Sequence, residues 1–178
     1  MCGRFTLRTP AGVLIRHFEL DASGPWQLPL FEPRYNISPT QEIAVVRQLA
    51  ESGRRDASLL RWGLIPSWSK EPAAGPPLIT ARAETLADKP SFRTPFRRRR
   101  CLIPADGFFE WQQPPGGGRG QKQPFYIHRP DAQPFALAGL WETWTQPADA
   151  DRSDAEPRVL ESCTIVTTTA NRALGEIH

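Results

Sequence analysis

The sequence contains little cysteine and almost no lysine. Its three cysteines, at positions 2, 101 and 163, form no C-x-x-C pair. A disulfide framework or a zinc site is therefore not expected, and we predict neither a metal nor a cofactor. Cys101 and Cys163 lie in the apolar runs RCLIP and SCTIV, which predicts that both thiols are buried. Cys2, directly behind Met1, needs another explanation.

Long apolar segments are also absent. No run approaches the length of a membrane span, and no leader sequence precedes the charged stretch at residues 4–8. A cytoplasmic protein is therefore expected. The 178 residues fit a single domain. The 19 prolines and 13 glycines indicate many turns and short elements rather than long helices.

Basic charge is carried almost entirely by arginine, with 19 Arg against 3 Lys and a net charge of only +3. The planar guanidinium suits bidentate contact with phosphate. A GC-rich genome, which favours arginine codons, explains the bias equally well, and both interpretations stay open. The run of four arginines at 97–100 is typical of a solvated face or a nucleic-acid patch.

The hydrophobic pattern predicts short strands with few helices. A helix is expected from Pro10 to Phe18, with Thr9 as its N-cap and His17 on its apolar face. A second short helix is expected between 81 and 92, ending before Pro90. Strands are predicted at 42–49 and 58–65 and in the runs RCLIPADGFFEW, QPFYIH, PFALAGLWETW and SCTIVTTT. The fold class is therefore α+β, dominated by antiparallel strands.

Cys2 has a specific chemical potential if Met1 is removed. It then carries a free α-amine and a thiol on neighbouring carbons, a 1,2-aminothiol that condenses with aldehydes to a thiazolidine ring. An α-amine titrates near 7.7–8.0, so on the order of a tenth is already neutral at pH 7. Arg4 could hold a phosphate beside this terminus.

Glu110 is the most informative carboxylate. In ADGFFEW, Asp106 and Gly107 predict a tight turn, and strand alternation places Phe108 and Glu110 on one face. A carboxylate in so apolar a setting either has a raised pKa and moves protons or is paired with an arginine. The sequence leaves both open.

His178 is a candidate general acid or base, because histidine titrates near neutral pH. A strand followed by a short helix is predicted just before it, so we expect the chain to be truncated within a domain. His17 and His128 are interpreted as structural. In RWGLIPSW, Trp62 is predicted to lie in the core and Trp68 at the surface, where it could stack on bases.

Taken together, these segments resemble the SOS response-associated peptidase (SRAP) family of abasic-site-processing proteins. The resemblance runs the whole length through MCGRF, PRYNISPT, RWGLIPSW, ARAETL, SFR, CLIPADGFFEW, QPFYI, AGLWE, TIVTTTAN and EIH. It implies a barrel-like fold of mostly antiparallel sheets with a few short peripheral helices. It also implies a monomer that binds single-stranded DNA with abasic sites, is nucleoid-associated when bound, and needs no membrane, metal or cofactor.

The resemblance also implies roles for individual residues. Cys2 would crosslink to the sugar aldehyde, Glu110 would position the amine and move protons, and His178 would assist ring opening and reversal. Arg82 would grip the phosphate beside the lesion. The other DNA-contacting residues implied are Arg4, Asn36, Pro39, Trp68, Arg93 and Arg97.

Two features depart from the family pattern. Thr80 stands where the family has asparagine, and a hydroxyl offers fewer hydrogen bonds than an amide, so catalysis at this position is expected to be slower. The family also continues past the histidine. Two other functions remain open: a cysteine peptidase using Cys2, including self-removal of Met1, and a non-catalytic module that only binds single-stranded DNA.

Overall fold

A computed structural model describes residues 3–21, 32–49, 52–72, 75–114, 121–146 and 157–177. Cys2 and His178 lie outside these ranges. In the described part, the strands are β1 Arg4–Leu7, β2 Arg34–Ile37, β3 Glu42–Gln48, β4 Arg55–Trp62, β5 Thr80–Arg82, β6 Arg100–Ala105, β7 Gly107–Gln112, β8 Gln123–His128, β9 Phe135–Thr145 and β10 Val159–Thr167. The helices are α1 Ala11–Phe18, α2 Pro90–Arg98 and the single turn α3 Arg172–Gly175, with a 3₁₀ turn at Ala83–Thr85.

A six-stranded sheet closes on itself to form a barrel. Its order is β4-β3-β6-β9-β10-β5, and an additional β4–β10 pairing joins five of these strands in a ring. Neighbouring strands are antiparallel except where β10 runs parallel to β4 and to β5. The α+β prediction with a barrel-like, mostly antiparallel architecture is therefore confirmed.

A second sheet of four antiparallel strands, in the order β2-β1-β7-β8, packs beside the barrel. Phe5 on β1 meets the fully buried Trp62 of β4 edge to face, with ring centroids 5.3 Å apart. Such aromatic pairs add about 0.5–1.5 kcal/mol beyond the area they bury. The predictions of a buried Trp62 and of buried Cys101 and Cys163 are confirmed.

The link between the two sheets is Asp106, which lies between β6 of the barrel and β7 of the second sheet. Its buried carboxylate accepts hydrogen bonds from the backbone N–H groups of Arg8 and Thr9 and from the Thr9 hydroxyl. Asp106 and Gly107 therefore form a corner where the chain changes sheet. The predicted N-cap at Thr9 is wrong, because its hydroxyl is used by Asp106, and the N-cap position is Pro10.

Both helix predictions need correction. His17 is exposed, with its ring 4.9 Å from that of Phe18, and does not lie on the buried face of α1. In the second predicted segment, a 3₁₀ turn at Ala83–Thr85 ends before Pro90, and Pro90 then begins the separate helix α2. A proline is suited to the first helical position because its φ is fixed near the helical value and that position needs no N–H donor. No helix in the described ranges is long and apolar enough to cross a membrane.

Candidate functional site

Glu110 lines a cavity of about 540 Å³, which we call the Glu110 cavity. Strand β7 alternates, so Phe108 and Glu110 face the same side, as predicted, and both line the cavity. The Glu110 side chain is buried, since the residue is only 8 % exposed. A carboxylate held this far from bulk solvent is well placed to exchange protons with a bound molecule.

The N-terminal end of β1 lies next to Glu110. In the antiparallel β1–β7 pairing, Arg4 is opposite Phe109, the residue before Glu110. The Arg4 guanidinium donates to the Asn36 side-chain carbonyl over 3.0 Å, so the structure brings these two predicted residues together. Because β1 starts here, the chain enters the fold beside the Glu110 carboxylate.

Another part of the cavity lining comes from β5. Ala81 is buried, whereas Thr80 is partly exposed and Arg82 exposed, so the latter two side chains share one face of the strand. Arg82 lines the Glu110 cavity. The parallel pairing with β10 sets Arg82 beside Thr167, so both strands end at the cavity. A guanidinium at this edge can bind an anionic group of a molecule occupying the cavity.

A further part comes from the rim segment, residues 168–177, which follows β10. Thr168, Thr169, Ala170, Asn171 and Leu174 line the cavity. The Glu84 carboxylate accepts from the Thr168 hydroxyl at 3.0 Å and from the Thr169 N–H at 3.2 Å. The rim segment leads directly to His178 in the sequence.

The Glu84 carboxylate is held in its charged form. Hydrogen bonds from its own backbone N–H and then from the Thr168 hydroxyl lower its pKa below the ordinary value, and the Arg82 charge acts in the same direction. The carboxylate therefore stays an acceptor throughout the neutral range. This keeps the anchor of the rim segment intact at physiological pH.

A second cavity, of about 460 Å³, lies beside Trp68 and is called the Trp68 cavity. The Trp68 side chain is 66 % exposed, which confirms the predicted surface position. Thr40, the neighbour of Pro39, also lines this cavity, and its N–H donates to the Trp62 carbonyl at 2.8 Å. Trp68 and the residue that follows Pro39 therefore line one surface depression, separate in its lining from the Glu110 cavity.

Helix α2 borders the Trp68 cavity through Ser91. Arg93 and Arg97 are exposed and four residues apart, so they share one helix face, with the 38 % exposed Phe96 beside them. Arg99 differs from its neighbours, because its guanidinium pairs at 2.9 Å with the buried Glu142 carboxylate. The four-arginine run thus combines a solvated basic face with one structural ion pair.

The two described thiols are unsuited to nucleophilic chemistry. Burial raises the pKa of Cys101 to about 12, and it also raises the pKa of Cys163 well above the ordinary value. Both thiols stay protonated near neutral pH. Within the described ranges, no three His, Cys, Asp or Glu side chains cluster to hold a metal.

Sequence reasoning missed the polar anchors of the rim segment. Besides Glu84, these include Gln112 on β7, whose side-chain N–H donates to the Glu176 carbonyl at 2.7 Å. Both residues stand within segments that carried the family resemblance or next to them, and the run TTTAN at 167–171 contains Thr168, the partner of Glu84. The hydroxyl and amide side chains of this run, directly after a predicted strand, were the signal in the sequence that could have indicated such anchors.

Comparisons with known proteins identify the family of this chain. A family model described as SOS response associated peptidase (SRAP) matches residues 1–178. The abasic site processing protein YoqW of Bacillus subtilis is 39 % identical over 178 residues, which are all of this chain and 73 % of YoqW. The abasic site processing protein HMCES of Pongo abelii is 30 % identical over 221 residues, covering all of this chain and 59 % of HMCES. A crystal structure of a Bacteroides thetaiotaomicron protein superposes with a TM-score of 0.78 at 23 % identity, over 99 % of this chain and 72 % of that one, and shows the shared fold.

Proposed function

The chain belongs to the SOS response-associated peptidase family, and from this premise we propose that it processes abasic sites in single-stranded DNA by covalent capture. Abasic-site processing is the activity named for its relatives YoqW and HMCES. The observation that carries the proposal is the buried Glu110 carboxylate, which lines a cavity together with Arg82 and follows the residue paired with Arg4 of β1.

The capture reaction needs no oxidant or cofactor. The α-amine of Cys2, exposed once Met1 is removed, adds to the aldehyde carbon of the ring-opened sugar, and loss of water gives a Schiff base. The Cys2 sulfur then adds to the same carbon, and its proton goes to the nitrogen, which closes the thiazolidine. Glu110 accepts and returns the protons, a role that contributes on the order of 10²–10⁴-fold in rate.

The position of Cys2 in the sequence supports this role. Only Gly3 separates Cys2 from Arg4 along the chain. Arg4 itself is paired with the residue before Glu110. This short spacing in the sequence favours a reaction of Cys2 beside Glu110.

Other residues hold the DNA and support the chemistry. Arg82 binds the phosphate beside the lesion, and His178 protonates the sugar oxygen during ring opening. Thr80, on the same strand face as Arg82, takes the place of the family asparagine and orients the sugar with a single hydroxyl.

The single-stranded DNA next to the lesion contacts a second group of residues, which lie at the Trp68 cavity, on α2 and beside Arg4. Its bases meet the exposed Trp68 indole next to Pro39, and its phosphates meet Arg93 and Arg97 on α2. Asn36 contributes through Arg4, to which it is hydrogen bonded. Affinity from these arginines should fall as salt rises. The protein would act as a monomer in the cytoplasm, on nucleoid DNA.

The test is a denaturing gel of the protein mixed with single-stranded DNA that carries one abasic site. Loss of Met1 is confirmed first by intact mass. The expected result is a heat-stable shifted band that is absent for Cys2→Ala and present for Cys101→Ala, the matched control with a buried thiol. A Met1-processed, folded chain that gives no band contradicts covalent capture.

Two further arms separate the alternatives. Acetylation of the N-terminal amine stops thiazolidine formation but leaves a Cys2 thiolate able to attack, so an acetylated chain that still forms the adduct or cleaves peptides favours a peptidase. Equal binding of the abasic strand by the unaltered chain and Cys2→Ala, with no covalent product from either, favours a purely DNA-binding module.

A further inference from the structure

The rim segment contributes no buried side chain to the hydrophobic core. Within residues 168–177 no side chain is buried, and only Leu174 and Ile177 are partly covered. Helix α3 is a single turn, and isolated helices this short are unstable in water. The position of the segment must therefore depend on polar contacts to other parts of the fold.

One such contact crosses from the second sheet. Gln112 lies two residues after Glu110 on β7, so the two side chains leave the strand on the same face. The Gln112 amide donates at 2.7 Å to the Glu176 carbonyl, just beyond the end of α3. The strand that carries Glu110 thus also holds the far end of the rim segment, two residues before position 178.

The other contact comes from the 3₁₀ turn after β5. Glu84 follows Arg82 by two residues and accepts from the Thr168 hydroxyl and the Thr169 N–H, at the start of the rim segment. Between the two anchors, Asn171 caps α3 by accepting from the Leu174 N–H at 3.0 Å. The segment is therefore fastened at both ends, once beside Arg82 and once beside Glu110.

We propose that Gln112 and Glu84 are positioning residues, which hold the rim segment across the Glu110 cavity and thereby direct His178 to the sugar. The inference rests on the proposed function, because it assigns these residues a role in that reaction. Neither residue touches the sugar. Each acts through the backbone that precedes His178, so loss of either contact should slow the chemistry without weakening DNA binding.

The chain offers matched variants for the test. Gln112→Glu keeps the shape of the side chain and removes the N–H donor, whereas Gln112→Lys keeps a donor. Gln113→Glu makes the same change at the next, exposed residue, for which no side-chain contact is seen in the described part of the chain. Glu84→Ala removes the second anchor, with Glu71→Ala, another exposed glutamate, as its control.

Three quantities are measured on each Met1-processed variant. The first is the single-turnover crosslinking rate on abasic single-stranded DNA. The second is the Kd for a strand carrying tetrahydrofuran, an abasic analogue without an aldehyde. The third is hydrogen exchange of the Leu174, Gly175 and Ile177 amides, all of which donate within the rim segment.

Gln112→Glu and Glu84→Ala should slow crosslinking roughly tenfold or more, up to the 10²–10⁴-fold that a general acid contributes. Their Kd should stay within about twofold, and the three amides should exchange faster. Gln112→Lys and the two controls should behave like the unaltered chain.

Equal crosslinking rates for Gln112→Glu and Gln113→Glu would overturn the proposal, as would unchanged amide exchange. A parallel loss of rate and DNA affinity would do the same, because it indicates general destabilisation. If the unaltered chain forms no crosslink, the proposed function fails, and the exchange measurement alone decides whether the two anchors hold the segment.

Discussion

The ion pair between Arg99 and Glu142 gives the sharpest test of stability. The Glu142 side chain is 3 % exposed and the Arg99 side chain 32 %, with 2.9 Å between guanidinium nitrogen and carboxylate oxygen. The same oxygen of Glu142 accepts from the Thr143 N–H at 2.9 Å. Arg99→Ala therefore leaves a buried carboxylate with a backbone donor but without its countercharge.

Removing one partner of a buried pair costs about 3–5 kcal/mol. The low end applies here, because the Thr143 bond remains and the partly exposed site of Arg99 admits water to the carboxylate. We expect Arg99→Ala to lower the free energy of unfolding by about 3 kcal/mol. For a chain of this length, that corresponds to a fall in Tm of roughly 6–12 °C.

Thermal and urea unfolding followed by circular dichroism measure this directly. The matched control is Arg98→Ala, one position earlier, where the side chain is exposed and the expected cost stays below about 1 kcal/mol. Adding Glu142→Gln to Arg99→Ala should recover part of the loss, since it removes the unpaired charge. Equal Tm values for the two single arginine variants would refute the reasoning.

Three other outcomes are expected. Trp68→Ala should weaken binding to single-stranded DNA by roughly 1–3 kcal/mol in a fluorescence titration, with little change in Tm. Trp62→Ala, at a fully buried position, should instead lower the free energy of unfolding by about 3–5 kcal/mol. The opposite pattern would contradict the assignment of the two indoles. Because burial raises the pKa of Cys101 to about 12, iodoacetamide at pH 8 should label it only after unfolding, and native labelling at the rate of a free thiol, read by mass spectrometry, would exclude the buried position. Thr80→Asn should raise the crosslinking rate several-fold, because the amide adds a donor and a separate acceptor; an unchanged rate would mean that this position does not orient the sugar.

Several features of the candidate site were predictable from the sequence. The alternation in GFFEW placed Phe108 and Glu110 on one face of a strand, and both line the cavity. The two-residue spacing of Thr80 and Arg82 indicates that both side chains leave an extended segment on the same side, and the segment is a strand with only Ala81 between them buried. The contexts of Trp62 and Trp68 separated a core indole from an exposed one. These predictions succeeded because side-chain direction along a strand and the burial of apolar runs are local properties of the chain.

Predictions from the local sequence pattern failed where a distant segment binds the same polar group or where a residue suits more than one position. Thr9 has the side chain of a helix cap, but its hydroxyl donates to Asp106, 97 positions away. A helix was expected to end before Pro90, and the 3₁₀ turn at Ala83–Thr85 does so, but Pro90 also begins the unpredicted α2, since a proline suits the first helical position. The sequence by itself does not rank such alternatives.

The sequence by itself therefore determined the α+β class, the strand faces that carry Glu110 and Arg82, and the membership of a family. Only the tertiary structure decided how the site is assembled. The parallel β4–β10 pairing closes the barrel, and Gln112 and Glu84 reach the rim segment across 64 and 84 positions of sequence. Such contacts depend on where distant segments meet in space. A hydrogen bond can form between a donor and an acceptor at any separation along the chain, so the sequence pattern does not reveal the pair.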